Sequence, residues 1–138
     1  GDPGWDGNGG SARFMWYCPN GSNSAKGSGA YLQPYVYYRD QPGQYGNDFG
    51  KKYYIQEGVT YNCQISVKLN TGSNTDGYIK YYVNGTEILN QKIRWVTNDS
   101  KRNVNAVSFH TFRGGSQEYW KAPVTSSISY PSASWDAL

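Results

Sequence analysis

Ser11 and Arg13 stand two positions apart, as do Tyr35 and Tyr37, with Tyr38 next in the chain. In an extended chain that spacing puts both members of each pair on one face of a strand. A guanidinium can hold a carboxylate through two parallel hydrogen bonds. A phenol can donate a proton or, with its pKa lowered, take one up. These are the parts for a β-elimination on a uronic acid: cation and donors neutralise the carboxylate, the neighbouring C–H becomes acidic, and Tyr moves protons. Lys51, with Lys52 beside it, His110 and Arg113 could add cations and donors that bind the same anion. The plainer alternative is that Arg and Tyr alternate along a solvated strand face, and that His110 is a hydrogen-bonded structural residue.

Other chemistries lack their parts. There is no GxSxG elbow, HExxH pair or phosphate-binding Gly-rich loop. With one His and two Cys no zinc cluster can be assembled, and the elimination requires neither a metal nor an organic cofactor, so none is expected. The net charge of +3 comes from basic residues scattered among acidic ones, with no run longer than Lys51-Lys52 or Lys101-Arg102. That pattern argues against nucleic acid and allows an anionic ligand. No apolar stretch approaches the roughly 18 residues of a membrane span, so no membrane partner is expected. The beginning of the chain lacks a signal-peptide layout, which is the expectation for a mature, trimmed or partial chain.

The elements that must carry these residues are strands. Period-two alternation is clearest from Val59 to Leu69, where every odd position is apolar, predicting one core-facing side. Tyr78–Val83 and Thr86–Ile93 flank Asn84-Gly85, the dipeptide suited to a type I′ hairpin turn. Ser11–Cys18 reads as a strand with Ala12, Phe14, Trp16 and Cys18 on one side and Ser11, Arg13, Met15 and Tyr17 on the other. Further strands are expected around Tyr35–Tyr38, Tyr53–Ile55, Val104–Phe112 and Ile128–Tyr130. No segment shows a helical period. The expected class is therefore all-β, an antiparallel β-sandwich of jelly-roll type, forming a single domain over residues 1–138. With six to eight short strands, such a roll is either truncated or completed by a second chain or a homo-oligomer. The 14 Tyr and 5 Trp in a background of Gly, Ser and Asn suit a wet recognition surface, although β proteins favour Tyr in any case. Cys18 and Cys63 are either a disulfide or two small buried groups. Sequons at Asn20, Asn84 and Asn98 give mild support to secretion.

In register, several segments resemble the jelly-roll polysaccharide lyases of family 14 and their glucuronan-lyase relatives of family 20. Gly9-Gly10-Ser11-Ala12-Arg13-Phe14-Met15-Trp16 is similar to the family's G-x-S-x-R-L-M-W segment. Tyr35-Val36-Tyr37-Tyr38 resembles its Y-x-Y strand, and Tyr45-Gly46 through Phe49-Gly50-Lys51 its YG…GRG stretch. Val67-Lys68-Leu69-Asn70-Thr71, Asp76-Gly77 and Val83-Asn84-Gly85 follow its "LNt…dG…DG" run, and Phe109 to Ser116 with Trp120 its closing "TFFGGs…W". The resemblance implies an extracellular, cofactor-free lyase acting on an acidic polysaccharide such as alginate or glucuronan. It makes Ser11, Arg13, Tyr35 and Tyr37 the catalytic set, while Tyr38, Lys51, His110 and Arg113 are substrate-binding candidates from their residue types. The family's KGGKLPG-like segment, whose Lys contributes to the site, has no counterpart here. A noncatalytic lectin-like module and a structural or assembly subunit on the same fold remain as alternatives.

Overall fold

The computed structural model describes residues 4–17 and 29–108, and the chain divides into two compact units, Gly1–Asn105 and Ala106–Leu138. The first unit holds two antiparallel sheets. Strand β1 (Ser11–Tyr17) pairs with β2 (Tyr31–Tyr37) along its whole length, from Ser11 opposite Tyr37 to Tyr17 opposite Tyr31. The other edge of β2 is shared: β3 (Asn47–Asp48) pairs with Tyr35 and Val36, and β4 (Tyr53–Tyr54) with Tyr31 and Leu32. Pro34 sits mid-strand, where a missing N–H would break a ladder. Its carbonyl accepts from Phe49 N–H at 3.0 Å, on the side where β3 has ended and β4 has not begun, so no ladder bond is lost there.

The second sheet is a meander of β5 (Cys63–Lys68), β6 (Gly77–Val83) and β7 (Thr86–Ile93). Along β6 the alternation is complete, with Gly77, Ile79, Tyr81 and Val83 buried and the residues between them half-buried. The hairpin forms as its turn residues require, with φ of 49° at Asn84 and 76° at Gly85. Register shifts once, since Tyr81 faces Leu89 but Tyr82 faces Glu87, leaving Ile88 as the extra residue of a β-bulge. The bulge buries Ile88 and Leu89 together and frees the Ile88 carbonyl to accept from Lys51 N–H at 2.9 Å. Gly50 permits that approach. Its φ is +71°, and a Cβ there would lie 2.5 Å from the Ile88 oxygen.

The sheets meet over one apolar core. Val36 and Tyr38 from the first face Ile79, Tyr81, Val83, Ile88, Leu89 and Ile93 of the second, with Trp95 and Val96 alongside. Phe14 meets the Tyr81 ring edge-on at 4.9 Å between centroids. This is the two-layer solution for sheets with one apolar face each.

Two expectations are corrected. The ladder of the alternating segment covers only Cys63–Lys68, and its apolar side is half covered. Tyr61, Val67 and Leu69 pack on the core, whereas Val59, Cys63 and Ile65 are exposed. Among the described residues β5 lies outermost and pairs only with β6. Cys63 is therefore not a buried apolar group; Cys18 lies outside the described residues. Residues 104–108 form no strand and are exposed; among the described residues no strand pairs with them, and alternation alone gives the backbone nothing to bond. The rest of that segment, and Ile128–Tyr130, lie outside the described residues. Finally, two of the sequon asparagines have structural work: Asn84 makes the hairpin turn, and the Asn98 side chain accepts from Ser100 N–H at 3.1 Å and caps a short 3-10 turn at Asp99–Lys101. Asn20 lies outside the described residues.

Candidate active site

The register of β1 with β2 builds the site. Ser11 lies opposite Tyr37, Arg13 opposite Tyr35, Met15 opposite Gln33 and Tyr17 opposite Tyr31. All eight share the face turned away from Ala12, Phe14, Leu32 and Val36, which pack on the core. β3 extends this face with Asp48 opposite Tyr35, and β4 with Tyr54 opposite Tyr31.

Arg13 organises one end. Its Nη2 donates to Ser11 Oγ at 3.0 Å, and its Cζ lies 5.6 Å from the Tyr35 ring centroid and 5.3 Å from that of Tyr37. The two rings stand edge to face, 5.6 Å apart, and their hydroxyls are hydrogen-bonded to each other. The phenols are driven in opposite directions. For Tyr37, burial raises the pKa but is outweighed by the hydrogen bond from Tyr35, the Gly46 backbone N–H and the Arg13 charge, so its net position is below that of an ordinary phenol. For Tyr35, burial, the bond donated to Tyr37 and the nearby Tyr37 and Asp48 push it up to about 12, against Arg13. Adjacent phenols with separated pKa values have the properties that a base and an acid need.

The Arg13 backbone is pinned from the opposite sheet, where the buried Tyr81 donates its hydroxyl to the Arg13 carbonyl at 3.2 Å. Tyr81→Phe removes that donor and leaves the carbonyl short of a partner. The expected result is a loss of about 1 kcal/mol in chemical denaturation; an unchanged midpoint would show that the bond carries no weight.

The other end of the face is aromatic and anionic. The Tyr17 hydroxyl donates to Asp48 Oδ1 at 2.7 Å, and the Tyr17 and Tyr31 rings lie 5.1 Å apart. Lys52 places Nζ 4.5 Å from the Tyr31 centroid, and Tyr54 stands 59% exposed beside it. Among the described residues no three His, Cys, Asp or Glu side chains cluster to hold a metal ion.

Of the residues singled out from sequence, Ser11, Arg13, Tyr35 and Tyr37 come together. Tyr38 does not join them. It falls one position past the strand, on the core side, where it is 9% exposed and stacks on Phe49 at 5.6 Å. Lys51 is bound through its backbone to Ile88 of the other sheet, and it is Lys52 whose ammonium reaches the tyrosine face. His110 and Arg113 lie outside the described residues. Sequence reasoning missed Gln33 and Asp48 as members of this face and did not separate Lys52 from Lys51; placing the start of β2 at Tyr31 would have found Gln33 by alternation alone.

Comparisons with known proteins agree with this architecture. Residues 4–133 match the family Polysaccharide lyase 14. The chain is 50% identical to the alginate lyase Aly36B and superposes on it with a TM-score of 0.78, covering 89% of this chain and 50% of that one. A variant of the same lyase with a Lys and a Tyr replaced by Ala, solved in complex with an alginate tetrasaccharide, gives 0.79 at the same identity and coverage. Exolysin of Paramecium bursaria Chlorella virus 1 is 30% identical over 125 residues, which are 78% of this chain and 19% of that protein. The chain thus spans half the length of the solved lyase and a smaller share of the viral protein. Among the described residues no helix is long and apolar enough to cross a membrane. With the family match running through nearly all of its length and an alginate-lyase jelly roll beneath it, this chain belongs to the polysaccharide lyase 14 family.

Proposed function

We propose that this chain binds an alginate-type polyuronate along the Ser11–Tyr37 face and cleaves it by β-elimination. The observation that supports the reading above all others is the Tyr35–Tyr37 pair under Arg13, with one phenol driven down and its neighbour driven up. Arg13 receives the uronate carboxylate, with Ser11 bonded to its guanidinium. Neutralising the carboxylate acidifies the C–H on the carbon that bears it. Tyr37, as phenolate, takes that proton; the C–H electron pair becomes a C=C double bond, and the bond to the glycosidic oxygen breaks. The departing oxygen takes a proton from Tyr35, which recovers one from Tyr37 through their shared hydrogen bond. Atoms and charge balance with no external reductant, oxidant or water. Beyond the buried Gln33, Tyr17 and Tyr31, the exposed Tyr54 ring and the Lys52 ammonium suit a neighbouring sugar, the ring for its apolar face and the ammonium for its carboxylate. A polymeric anion does not cross membranes, which supports an extracellular place of action.

The test is incubation of the chain with alginate, polyglucuronate and a neutral glucan, following the ultraviolet absorbance of the unsaturated product. Absorbance growing with a polyuronate alone supports the lyase. Retained binding with no product supports a lectin-like module, and neither binding nor product rejects the polysaccharide reading.

A further inference from the structure

The turn after β2 is held by one buried amide. Gln41, 9% exposed, accepts from Tyr38 N–H through Oε1 at 3.1 Å, and its Nε2 donates to the carbonyls of Gly43 at 2.8 Å and Tyr45 at 3.1 Å. Behind it lies Gly4 of the 3-10 turn Gly4–Asp6, where a Cβ would come within 2.8 Å of Gln41 Oε1 and 2.5 Å of Tyr38 N. Pro42, Gly43, Gln44 and Tyr45 are all exposed, so this turn is shaped by the Gln41 hydrogen bonds and not by apolar packing. A buried side chain with both ends of its amide used is a keyed part.

The last of those bonds matters most. The Tyr45 carbonyl and the Gly46 N–H belong to one planar peptide unit, so fixing the carbonyl also aims the N–H. Gly46 in turn touches both phenols: a Cβ there would lie 2.5 Å from Tyr35 Cε1 and 2.6 Å from Tyr37 Cε2. Only a residue without a side chain lets the backbone reach between those rings.

We propose that Gln41 is a positioning residue for the acid–base pair, orienting the Tyr45–Gly46 peptide so that the Gly46 N–H donates to the Tyr37 oxygen while Gly46 wedges the two rings into their edge-to-face geometry. The inference rests on the reading of Tyr37 as the base. The backbone N–H stabilises the phenolate without adding a charge that would compete for the substrate carboxylate. The other charged or titratable groups acting here are Arg13 of β1 and Tyr35 of β2, with Asp48 of β3 acting on Tyr35. Gln41 touches neither substrate nor phenol; it works through the peptide it holds.

The deciding experiment is NMR titration of the whole chain carrying Tyr isotopically labelled at Cζ, with Tyr37 assigned by its absence in Tyr37→Phe. Gln41→Leu should move the Tyr37 titration upward by about one pH unit, and lower kcat near neutral pH about tenfold with KM little changed. Should Gln41→Leu fail to fold, Gly46→Ala decides, with the same upward movement expected. An unmoved Tyr37 titration in either folded variant overturns the proposal. The lyase reading fails separately: wild-type chain that turns over no polyuronate, yet shows the expected titration changes, leaves Gln41 in its role and removes the reaction. An active wild type with an unmoved titration removes only Gln41.

Discussion

Tyr37→Phe is expected to lower kcat on a polyuronate by roughly a hundred- to ten-thousand-fold, the range that a positioned general base contributes, while KM stays near the wild-type value. The ring, its edge contact with Tyr35 and the site's shape all survive in Phe. What is lost is the one oxygen that collects the Tyr35 bond, the Gly46 N–H and the Arg13 field. Tyr35→Phe should cost less, because it removes the acid and one of three stabilising influences on Tyr37 but leaves the base in place. The pH profile separates these roles. The proposed reaction uses Tyr37 deprotonated and its pKa is lowered, so activity should rise with pH and level off below the range of an ordinary phenol. Tyr35, pushed up to about 12, keeps its proton throughout that range. Arg13→Ala withdraws a positive charge that favours the phenolate, so the rising limb must move to higher pH, and KM must rise with it. A limb that stays in place in Arg13→Ala, or full activity in Tyr37→Phe, would remove these residues from the chemistry.

For stability the largest single effect belongs to Asn70, which is 1% exposed and has every capacity of its amide in use. Its Oδ1 accepts from Trp95 N–H at 2.8 Å and Val96 N–H at 3.1 Å, and its Nδ2 donates to Val96 O at 2.9 Å and Gly72 O at 3.0 Å. This clamps the loop leaving β5 to the stretch following β7. Trp95 carries the effect to the site, because its ring lies 3.0 Å from where a Cβ on Gly10 would be, directly before Ser11. Asn70→Ala strands two buried backbone donors at about 1–3 kcal/mol each, so a loss of about 3 kcal/mol or more is expected from the urea midpoint and slope. Asn70→Asp keeps both accepted bonds but loses both donated ones and buries a charge, so it should not rescue. A loss below about 1 kcal/mol in Asn70→Ala would mean that the clamp is not a principal stabilising element.

Alternation and turn chemistry made much of this legible. The Asn84-Gly85 hairpin and the two faces of β1 follow from side-chain period and from the φ that only certain residues tolerate. The grouping of Ser11, Arg13, Tyr35 and Tyr37 needed only that both segments be strands, since pairing two strands face-matches their odd positions. Failures arose where position relative to a strand end decides. Tyr38 is adjacent to Tyr37 in sequence and opposite in side. Lys51 and Lys52 cannot be told apart until the Ile88 bulge, invisible in sequence, captures the backbone of one and leaves the other free to lie over Tyr31. Pro34 disguised the first half of β2, because the gap between β3 and β4 that tolerates it is a tertiary fact. In β5 the pattern announced an apolar face truthfully, yet burial depends on what lies opposite, and half of that face stays exposed.

The double duty of β2 sets where this protein can breathe. Flanked by β1 on one edge and by β3 and β4 on the other, its amides should rank among the slowest to exchange with deuterium, and Tyr35 and Tyr37 ride on that strand. The Gly46 N–H that completes the Tyr37 environment comes instead from an exposed turn. A brief opening of that turn would let the amide exchange and release the phenolate from one of its donors without disturbing a single ladder bond. Fluctuations far smaller than unfolding would then interrupt the proposed proton transfer, and the exchange rate of one amide would report how often the proposed base is ready.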